Sequence, residues 1–563
     1  MQHTTLFKIL LTGFLSCTGF LLVRSQTIPV GTPALDDVYR RYQLLGLVDS
    51  SLSFSIRPLH AEALSQSNIF DPEGTFQSRS VIAGQAGSNR LIQILPLRWD
   101  QQINTSYPYG WNDGSMIPAR GYQTRFSVGI YAQYKWFSIQ LQPEVVYAQN
   151  KRYEGFGGAT GPTKQWYDLI GNRIDMPEIF GLGSYSRVFP GQSSVRITFK
   201  PISLGFSTEN LWWGPGQRNS ILMSNTAPGF AHVTLNTVSP IRTPLGSFEG
   251  QVVGGRLEDS GFPPSLLGDT SMHSAYYLPR RDDWRYFAGL VLSYQPRWVP
   301  GLSLGLIRTF SMYHQDMGSG ISDYFPFFTP GLKEGVAGAD DEDPKQTDQG
   351  VSVFFRWAIP AAKAEVYAEY ARNDHPWDFR DLYTQLDHSR GYVVGITKLI
   401  PLSSTQAGEH IAVNAEVTQL SATNTRRIRA YPTWYVHHQI RHGYTNLGQV
   451  MGAGIGPGSN AQSVDVSWVR GLKNIGLRAE RLSHNEDLVD KFYDDKRRYW
   501  IDASLLAYAN WDYKQFIASI GLQFIHAYNY QYQFKQENTD DYWDFDPQDK
   551  NNFHAYLSLM YRF

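Results

Sequence analysis

Residues 552–563 read N-F-H-A-Y-L-S-L-M-Y-R-F, from Asn552 to Phe563. The odd-numbered positions are apolar, and the even-numbered positions between them are mostly polar. Because successive side chains of a β-strand point to opposite faces, this period of two predicts a strand with one apolar and one polar face. A last strand that ends on an aromatic residue is typical of barrels that the barrel-assembly machinery inserts into the outer membrane. The alternative is an ordinary edge strand.

The same alternation recurs along the chain from about Leu91 onward. It is clearest in residues 126–135, 137–142, 362–370, 411–418 and 516–524. In a membrane barrel the apolar set faces lipid and the polar set lines the lumen, and strands of about 9–12 residues suit a tilted crossing. Full charges on the polar face, such as Lys363, Glu365 and Glu369, favour a lumen over the core of a soluble sandwich.

We therefore predict an all-β fold, a transmembrane antiparallel β-barrel over residues 91–563. The alternating segments number about 17 to 19, and the preference of bacterial barrels for even numbers gives about 18 strands. Short connections at Pro360-Ala361 and Gly471–Asn474 are predicted as periplasmic turns. Extracellular loops are predicted at the long polar connections near residues 150–190, 311–348, 372–390, 421–460 and 531–551.

Composition agrees with a barrel at a membrane. Aromatic residues make up 14% of the chain and charged residues only 18%, whereas charged residues are about 25% of an ordinary soluble protein. Tyr and Trp rings have an apolar body and a polar tip, which suits membrane interfaces and sugar-facing loops. The net charge of −1 provides no electrostatic footprint for nucleic acid, so that class of partner is excluded.

The first 25 residues have the pattern of a signal peptide. Lys8 precedes an apolar run from Ile9 to Val23, which is too short to span a bilayer well. The single cysteine, Cys17, lies inside this run, so the mature chain is expected to contain no cysteine. Lipidation of Cys17 is the alternative. No later stretch reaches about 18 consecutive apolar residues, which excludes a helical membrane protein.

Residues 26–90 differ from the rest of the chain. Between Ala34 and Leu47, apolar residues recur at helical spacing, and the acidic pair at 36–37 favours a first helical turn. A second, shorter helix is predicted near Pro58 to Ser65. We expect a small helical element at the periplasmic end of the barrel, or else an ordinary folded N-terminal arm.

One segment, Asn210 to Ser220, stands out for its chemistry. It reads N-L-W-W-G-P-G-Q-R-N-S, and the Gly214-Pro215-Gly216 run is a structural motif that forces a tight backbone path. Paired indoles can stack on sugar faces, and the polar residues after the turn can bind hydroxyl groups. The predicted polysaccharide contacts are Trp212, Trp213, Gln217, Arg218 and Asn219. A packed turn inside the barrel, with the indoles filling space, is the equal alternative.

This segment, together with Gly254-Gly255-Arg256-Leu257, resembles the signature of the capsule assembly Wzi family. The stretches Asp37–Gly46 and Ser53–Leu59 are similar to the way Bacteroidetes members begin. The resemblance covers most of the mature chain, and W-W-G-P-G-Q-R-N-S is its most specific part. It implies an 18-stranded outer-membrane barrel with a helical periplasmic element, a lectin that helps to hold capsular polysaccharide on the cell surface.

Other candidate sites carry weaker signals. Tyr542 and Trp543 lie among carboxylates in a predicted outer loop, a mixture that suits sugar binding. Asp340–Asp343 could bind Ca²⁺ but is typical of a solvated loop. His437, His438 and His442 are predicted to be exposed rather than metal ligands. We predict no catalytic residues, no metal and no cofactor, since neither G-x-S-x-G nor H-E-x-x-H occurs.

Three functions follow in order. The leading prediction is a lectin-like barrel in the Gram-negative outer membrane that binds capsular or exopolysaccharide, acts without catalysis and works as a monomer in contact with outer-membrane lipid. The second is a porin or solute channel, because charged positions such as Arg478 and Glu480 would suit a water-filled lumen. The third is an outer-membrane hydrolase, since a scattered Ser-His-Asp set is compatible with the sequence.

Overall fold

The computed structural model describes residues 26–563, except for 67, 86, 87, 89, 157–162, 268–273, 329–346, 374–378, 403–407, 424–430 and 537–540. The predicted signal peptide with Cys17, and the Asp340–Asp343 run, lie outside the described residues. In the described part of the chain, no helix is both long and apolar enough to cross a membrane.

The alternating segments form one closed antiparallel barrel of 18 strands, which confirms the predicted fold class. Closure comes from the last strand, which pairs with the first through Leu559↔Trp99 and its neighbours. In chain order the strands are β1 Arg90–Asn104, β2 Gly121–Tyr134, β3 Phe137–Leu141 with Glu144–Ala148, β4 Tyr185–Phe189 with Ser194–Phe199, β5 Ile202–Ser207, β6 His232–Thr237, β7 Gly246–Leu257, β8 Arg285–Pro296, β9 Leu302–Tyr313, β10 Asp348–Ile359, β11 Ala364–Asn373, β12 Arg390–Pro401, β13 Glu409–Gln419, β14 Asn460–Arg470, β15 Lys473–Ser483, β16 Ile501–Tyr513, β17 Phe516–Tyr528 and β18 Lys550–Tyr561.

The two faces of the wall differ as the alternation requires. Apolar side chains such as Val353 and Phe355 on β10 point outward and are exposed. Polar side chains such as Glu365 and Glu369 on β11 point inward and are buried. Lys363 is a correction: it lies in the turn before β11 with φ +49°, not on the lumen face of the strand. Its place follows from the short 3₁₀ turn Pro360–Ala362, which ends the preceding strand.

Short turns close one end of the barrel and long connections extend from the other. The predicted turn at residues 471–472 and the five predicted long loops are found, between consecutive strands. Four further long connections, residues 105–120, 208–231, 258–284 and 484–500, were not predicted as loops. Short turns are periplasmic and long loops extracellular in barrels of this class, which sets the orientation.

The N-terminal element packs against the short-turn end. Its helix α1 runs from Pro33 to Leu44 and a second helix, α2, from Ala61 to Leu64, so both predicted helices are present but shorter. The buried face of α1 includes Leu35 and Val38 and forms one core with Leu472, Ile517 and other residues of the wall and turns. A proline at the first helical position supports the start of α1.

The remaining elements are short and belong mostly to the loops. The helices are α3 Thr163–Trp166, a π-helix Tyr167–Gly171, α4 Ile321–Tyr324, α5 Phe379–Thr384, α6 Glu486–Phe492 and 3₁₀ turns at His314–Asp316, Pro326–Phe328, Lys496–Arg498 and Tyr530–Tyr532. The short strands are Thr27–Ile28, Ile56–Arg57, Leu59–His60, Val81–Gly84, Trp212–Trp213, Ile241–Thr243, Thr445–Asn446, Gln449–Val450, Phe534–Gln536 and Phe545–Pro547.

The long loops pack into a cap over the extracellular end. Aromatic residues dominate its core: Tyr107, Trp166, Trp434 and Tyr530 are all buried in one cluster that continues into the lumen. Because protein interiors are close-packed, this core covers the lumen from the outside.

Candidate functional site

Residues 208–231, here called the lumen segment, turn inward from the end of β5 instead of extending outward. Trp212 and Trp213 pair with Ile56–Arg57 of the N-terminal element in a two-stranded ladder. The Trp213 indole N–H donates to Gln251 Oε1 at 2.8 Å, and the ring is fully buried. The ring lies so close to Gly289 on β8 that a Cβ there would come within 2.5 Å of it.

The predicted tight path at 214–216 has a steric reason. Gly214 has φ +119°, and a Cβ on it would meet Glu369 Oε2 at 2.8 Å. A Cβ on Gly216 would meet the main-chain oxygen of Asn219 at 1.9 Å. Only glycine fits both positions, so the turn can press the backbone against the wall.

Glu416 on β13 holds the backbone that follows this turn. Its carboxylate accepts hydrogen bonds from three successive main-chain N–H groups, those of Gln217, Arg218 and Asn219, at 2.7–3.1 Å. The Tyr367 hydroxyl donates to the same carboxylate at 2.9 Å. A carboxylate inside a cradle of N–H groups makes strong, charge-assisted hydrogen bonds.

The side chains of the segment bind other wall residues. Gln217 Nε2 donates to Glu365 Oε1 at 2.8 Å, and Asn219 Nδ2 donates to Thr418 at 3.1 Å. Arg218 makes a bidentate ion pair with Glu480 at 2.8 and 3.1 Å, and burial beside that carboxylate keeps its pKa above the ordinary value. These polar groups are therefore engaged by the barrel.

A chamber of about 380 Å³ remains in the lumen beside the segment. It lies between α1, the loop 105–120 and the wall strands β14–β18. Of the predicted contacts, Trp212, Gln217 and Arg218 border it. Its walls also carry Tyr109, Trp111, Arg478, Tyr508 and Tyr556. A polar chamber with aromatic and guanidinium surfaces is chemically able to receive a hydroxyl-rich ligand.

The second predicted group, Tyr542 and Trp543, lies at the outer surface. Their side chains are 56% and 73% exposed and their rings meet edge to face at 4.9 Å. Arg497, from the loop 484–500, stacks over the Tyr542 ring at 4.4 Å and also donates to the Tyr542 main-chain oxygen. An ion pair with Asp495 at 2.6 Å fixes Arg497 in turn. The structure thus holds two aromatic faces toward the outside.

The histidine group is placed differently from its prediction. His442 is buried, and its Nδ1 lies 2.9 Å from the Tyr313 hydroxyl. Burial, followed by the charges of nearby arginines, lowers the pKa of His442 to about 2, so the ring is neutral. Its buried position is therefore a correction, whereas His438 stacks on His437 at the rim. Within the described ranges, no group of three or more His, Cys, Asp or Glu side chains could hold a metal ion.

Sequence reasoning missed the residues that hold the lumen segment. Glu416 and Glu480 were part of the polar faces of predicted strands, but their partners are about 200 and 260 residues away in sequence. The alternation identified the face on which they lie and gave no signal for the pairing.

Comparison with known proteins comes after this geometry. The family model described as capsule assembly protein Wzi matches residues 111–539. A search of curated protein sequences finds no match. Among solved structures, Wzi of Escherichia coli is 13% identical with a TM-score of 0.58, covering 96% of this chain and 99% of its own. It is described as an outer-membrane protein involved in group 1 capsule assembly and a carbohydrate-binding β-barrel.

Two channel-type barrels are less similar. OccAB2 of Acinetobacter baumannii is 10% identical with a TM-score of 0.35, covering 83% of this chain and 97% of its own. OprB of Pseudomonas putida is 10% identical with a TM-score of 0.34, covering 84% and 94%. The closed barrel with its apolar outer wall is an outer-membrane protein. Because the family model spans most of the sequence, the chain belongs to the capsule assembly protein Wzi family.

Proposed function

We propose that this protein binds surface polysaccharide at its extracellular cap and thereby helps to assemble or retain a capsule or exopolysaccharide. The observation that carries the proposal is the exposed pair Tyr542 and Trp543, held outward by Arg497. Membership of the capsule assembly family supports polysaccharide as the ligand class.

The pair has the features that sugar recognition needs. Pyranose rings present C–H faces that stack on indole and phenol rings, while hydroxyl groups need hydrogen-bond partners at the edge. Asp541 and Asp495 lie beside the pair, in the same contact network as Arg497. Two rigid aromatic side chains also lose little conformational entropy on binding.

The lumen residues are the second part of the proposal. Trp212, Gln217 and Arg218 border the chamber, so a sugar that reached the chamber would meet them there. Trp213 and Asn219 are buried behind them and would support the segment. Their direct contact with polysaccharide remains a prediction.

We also infer that the protein binds its glycan without cleaving it. Binding and retention need no reacting group, and the buried carboxylates of the lumen are engaged by the segment they hold. The predicted monomeric state, insertion by the barrel-assembly machinery and contact with outer-membrane lipid belong to the same proposal.

The test in cells measures how surface polysaccharide divides between cell-bound and shed fractions. The variants are Trp543→Ala and, as a matched control, Trp298→Ala, whose side chain is equally exposed but lies at the short-turn end. We expect Trp543→Ala to shift polysaccharide into the medium and Trp298→Ala to behave as the native protein. An unchanged distribution in Trp543→Ala and in the deletion strain would contradict the proposal.

The test with purified protein separates binding from catalysis. Polysaccharide from the same strain is titrated against the native protein and Trp543→Ala, and the chain length of the glycan is measured before and after. Loss of one stacking surface should weaken binding about tenfold. A shortened glycan would show hydrolysis and would overturn the inference that the protein only binds.

A further inference from the structure

Three arginines form a row across the outer wall of the barrel. The register places Arg308 of β9 opposite Val351, Val351 opposite Arg372 of β11, and Arg372 opposite Arg390 of β12. Residues of one such row share a face, and the face is the outer one, because Ile307 next to Arg308 is buried in the lumen core. The row therefore brings three positive charges to the side of the barrel that meets the membrane.

This arrangement is unfavourable for a wall covered only by hydrocarbon. Like charges directly opposite each other on neighbouring strands destabilise a sheet, and Arg372 and Arg390 are such a pair. Outward-facing charges on a barrel are also costly unless they lie near the interface. Arg372 is the second-last residue of β11, and Arg390 is the first of β12, so both lie at the extracellular edge.

Two extracellular loops fold down over this row instead of rising into the cap. Arg308 Nη1 donates to the main-chain oxygen of Phe327 at 2.7 Å, and the outward-facing Tyr286 on β8 donates to that of Tyr324 at 2.9 Å. Tyr370 on β11 donates to the main-chain oxygen of Leu386 at 2.5 Å. Polar side chains of the outer wall thus fasten both loops to the outside of the barrel.

These loops expose apolar side chains to the membrane side. Ile321, next to the fastened Tyr324, is 82% exposed, and Tyr383, which stacks on Phe379, is 74% exposed. They continue the outer surface formed by exposed wall residues such as Val353 on β10. A surface continuous with the lipid-facing wall is covered by lipid when the barrel is in a bilayer.

We propose that this flap, α4 and α5 with the arginine row, is a lateral site for a phosphorylated, acylated lipid of the outer leaflet. The guanidinium groups of Arg308 and Arg390 would bind headgroup phosphate, with Arg372 between them adding positive potential. The exposed side chains of α4 and α5 would contact the acyl chains. Arginine suits phosphate because its planar fork donates two parallel hydrogen bonds.

Charge and position favour this occupant over polysaccharide. The nearest printed counter-charge in the row is Asp387, which lies 3.3 Å from Arg390 Nε and is more than half exposed. The row therefore keeps a net positive charge, and clustered basic groups at a membrane surface attract anionic lipid headgroups. The glycan-binding pair at Tyr542 and Trp543 is on a different loop, so the two sites can be tested separately.

The first test measures lipid binding by the purified protein in detergent. The probe is lipid A with two phosphates, compared with the same lipid after removal of both phosphates. We expect the double variant Arg308→Gln/Arg390→Gln to bind the phosphorylated lipid about tenfold more weakly than the native protein. Arg481→Gln is the matched control, because Arg481 is also exposed near the extracellular end of its strand but pairs only with Gln462 among the printed contacts.

Several results would overturn the proposal. The double variant could bind phosphorylated lipid A as the native protein does, or the native protein could bind both forms equally. Complete displacement by inorganic phosphate at the same concentration would indicate a free-anion site instead of a lipid site.

A second test does not depend on the arginine variants folding. The chain has one cysteine, Cys17, in the predicted signal peptide, so single cysteines can be labelled cleanly. Ile321→Cys, Tyr383→Cys and the cap control Trp543→Cys are labelled with a fluorophore in phosphatidylcholine vesicles containing spin-labelled lipid. We expect quenching at 321 and 383 to match that at the wall position Val353→Cys. Quenching as low as that of Trp543→Cys would refute immersion of the flap.

Discussion

Arg40 in α1 lies 2.8 Å from the main-chain oxygen of Pro215, to which its Nη2 donates. The same guanidinium donates from Nε to Glu365 at 2.8 Å. This one side chain therefore joins the N-terminal element, the lumen segment and the barrel wall. Two parts of the chain that enter the barrel from opposite ends meet at this point, in the middle of the lumen.

Replacing this contact tests whether the lumen is plugged. If α1 and the lumen segment block it, the native protein should pass little current in a planar bilayer. Arg40→Ala should give larger and more frequent openings, because it removes the contact between the two parts. The unfolding free energy should fall by about 2–4 kcal/mol, the usual cost of breaking a buried ion pair.

The control for this experiment is Arg242→Ala. Arg242 also pairs with the N-terminal element, through Asp49, but the pair is exposed. Exposed pairs contribute little, so neither conductance nor stability should change by much. High conductance of the native protein would favour the channel alternative and would contradict the plug.

Glu416→Gln tests the cradle beneath the tight turn. The carboxylate accepts three main-chain N–H groups, and an amide in its place would turn an N–H₂ group toward some of these donors. We expect a loss of about 2–4 kcal/mol and faster proteolysis within residues 214–220. Thr418→Val removes only the bond to the Asn219 side chain and should cost clearly less. Equal effects of the two variants would contradict a central role for Glu416.

The period-two pattern was enough to predict the barrel, because each strand must bury one face in the lumen and offer the other to lipid. Glu365 and Val366 on β11 show this directly, since adjacent residues point to opposite sides. The sequence could not show that residues 208–231 turn inward. A loop that contains W-W-G-P-G looks the same whether it packs in the lumen or stands above it.

The candidate site was predicted only in part for the same physical reason. Trp212 and Arg218 were recognised by residue type, but their burial depends on Glu480 and Arg57, which are distant in the chain. The outer flap gave no signal, because Arg308 follows the alternation as an ordinary polar interruption. Its meaning depends on the cross-strand register with Arg372, which only the folded sheet supplies.

Gly214→Ala tests whether the turn requires glycine. The residue has φ +119°, and the added Cβ would lie 2.8 Å from Glu369 Oε2. Strain of this kind costs about 1–3 kcal/mol, and it should lower the unfolding midpoint and the yield of folded barrel. Gly183→Ala is the matched control, since nothing lies within 4 Å of a Cβ there and its φ is not positive. A neutral Gly214→Ala variant would show that the turn can shift without loss.

Asp113, on the loop 105–120 at the chamber, predicts a pH dependence of stability. Burial is the main cause that raises the pKa of Asp113 from 3.8 to about 6, against the lowering effect of Arg125. The folded state therefore binds this proton more tightly than the unfolded state. Its stabilising contribution is complete below about pH 4 and is lost as the pH rises through 6.

Asp113→Asn isolates this effect, because the amide has the same shape and no charge to desolvate. Relative to the native protein, the variant should be more stable at pH 7.5 by about 1–2 kcal/mol, after allowance for water in the chamber, and similar at pH 4.5. The measurement is the unfolding midpoint of both proteins in detergent at both pH values, and the difference between them cancels every other titrating group. An advantage of the same size at both pH values would show that burial of the carboxylate charge is not the cause.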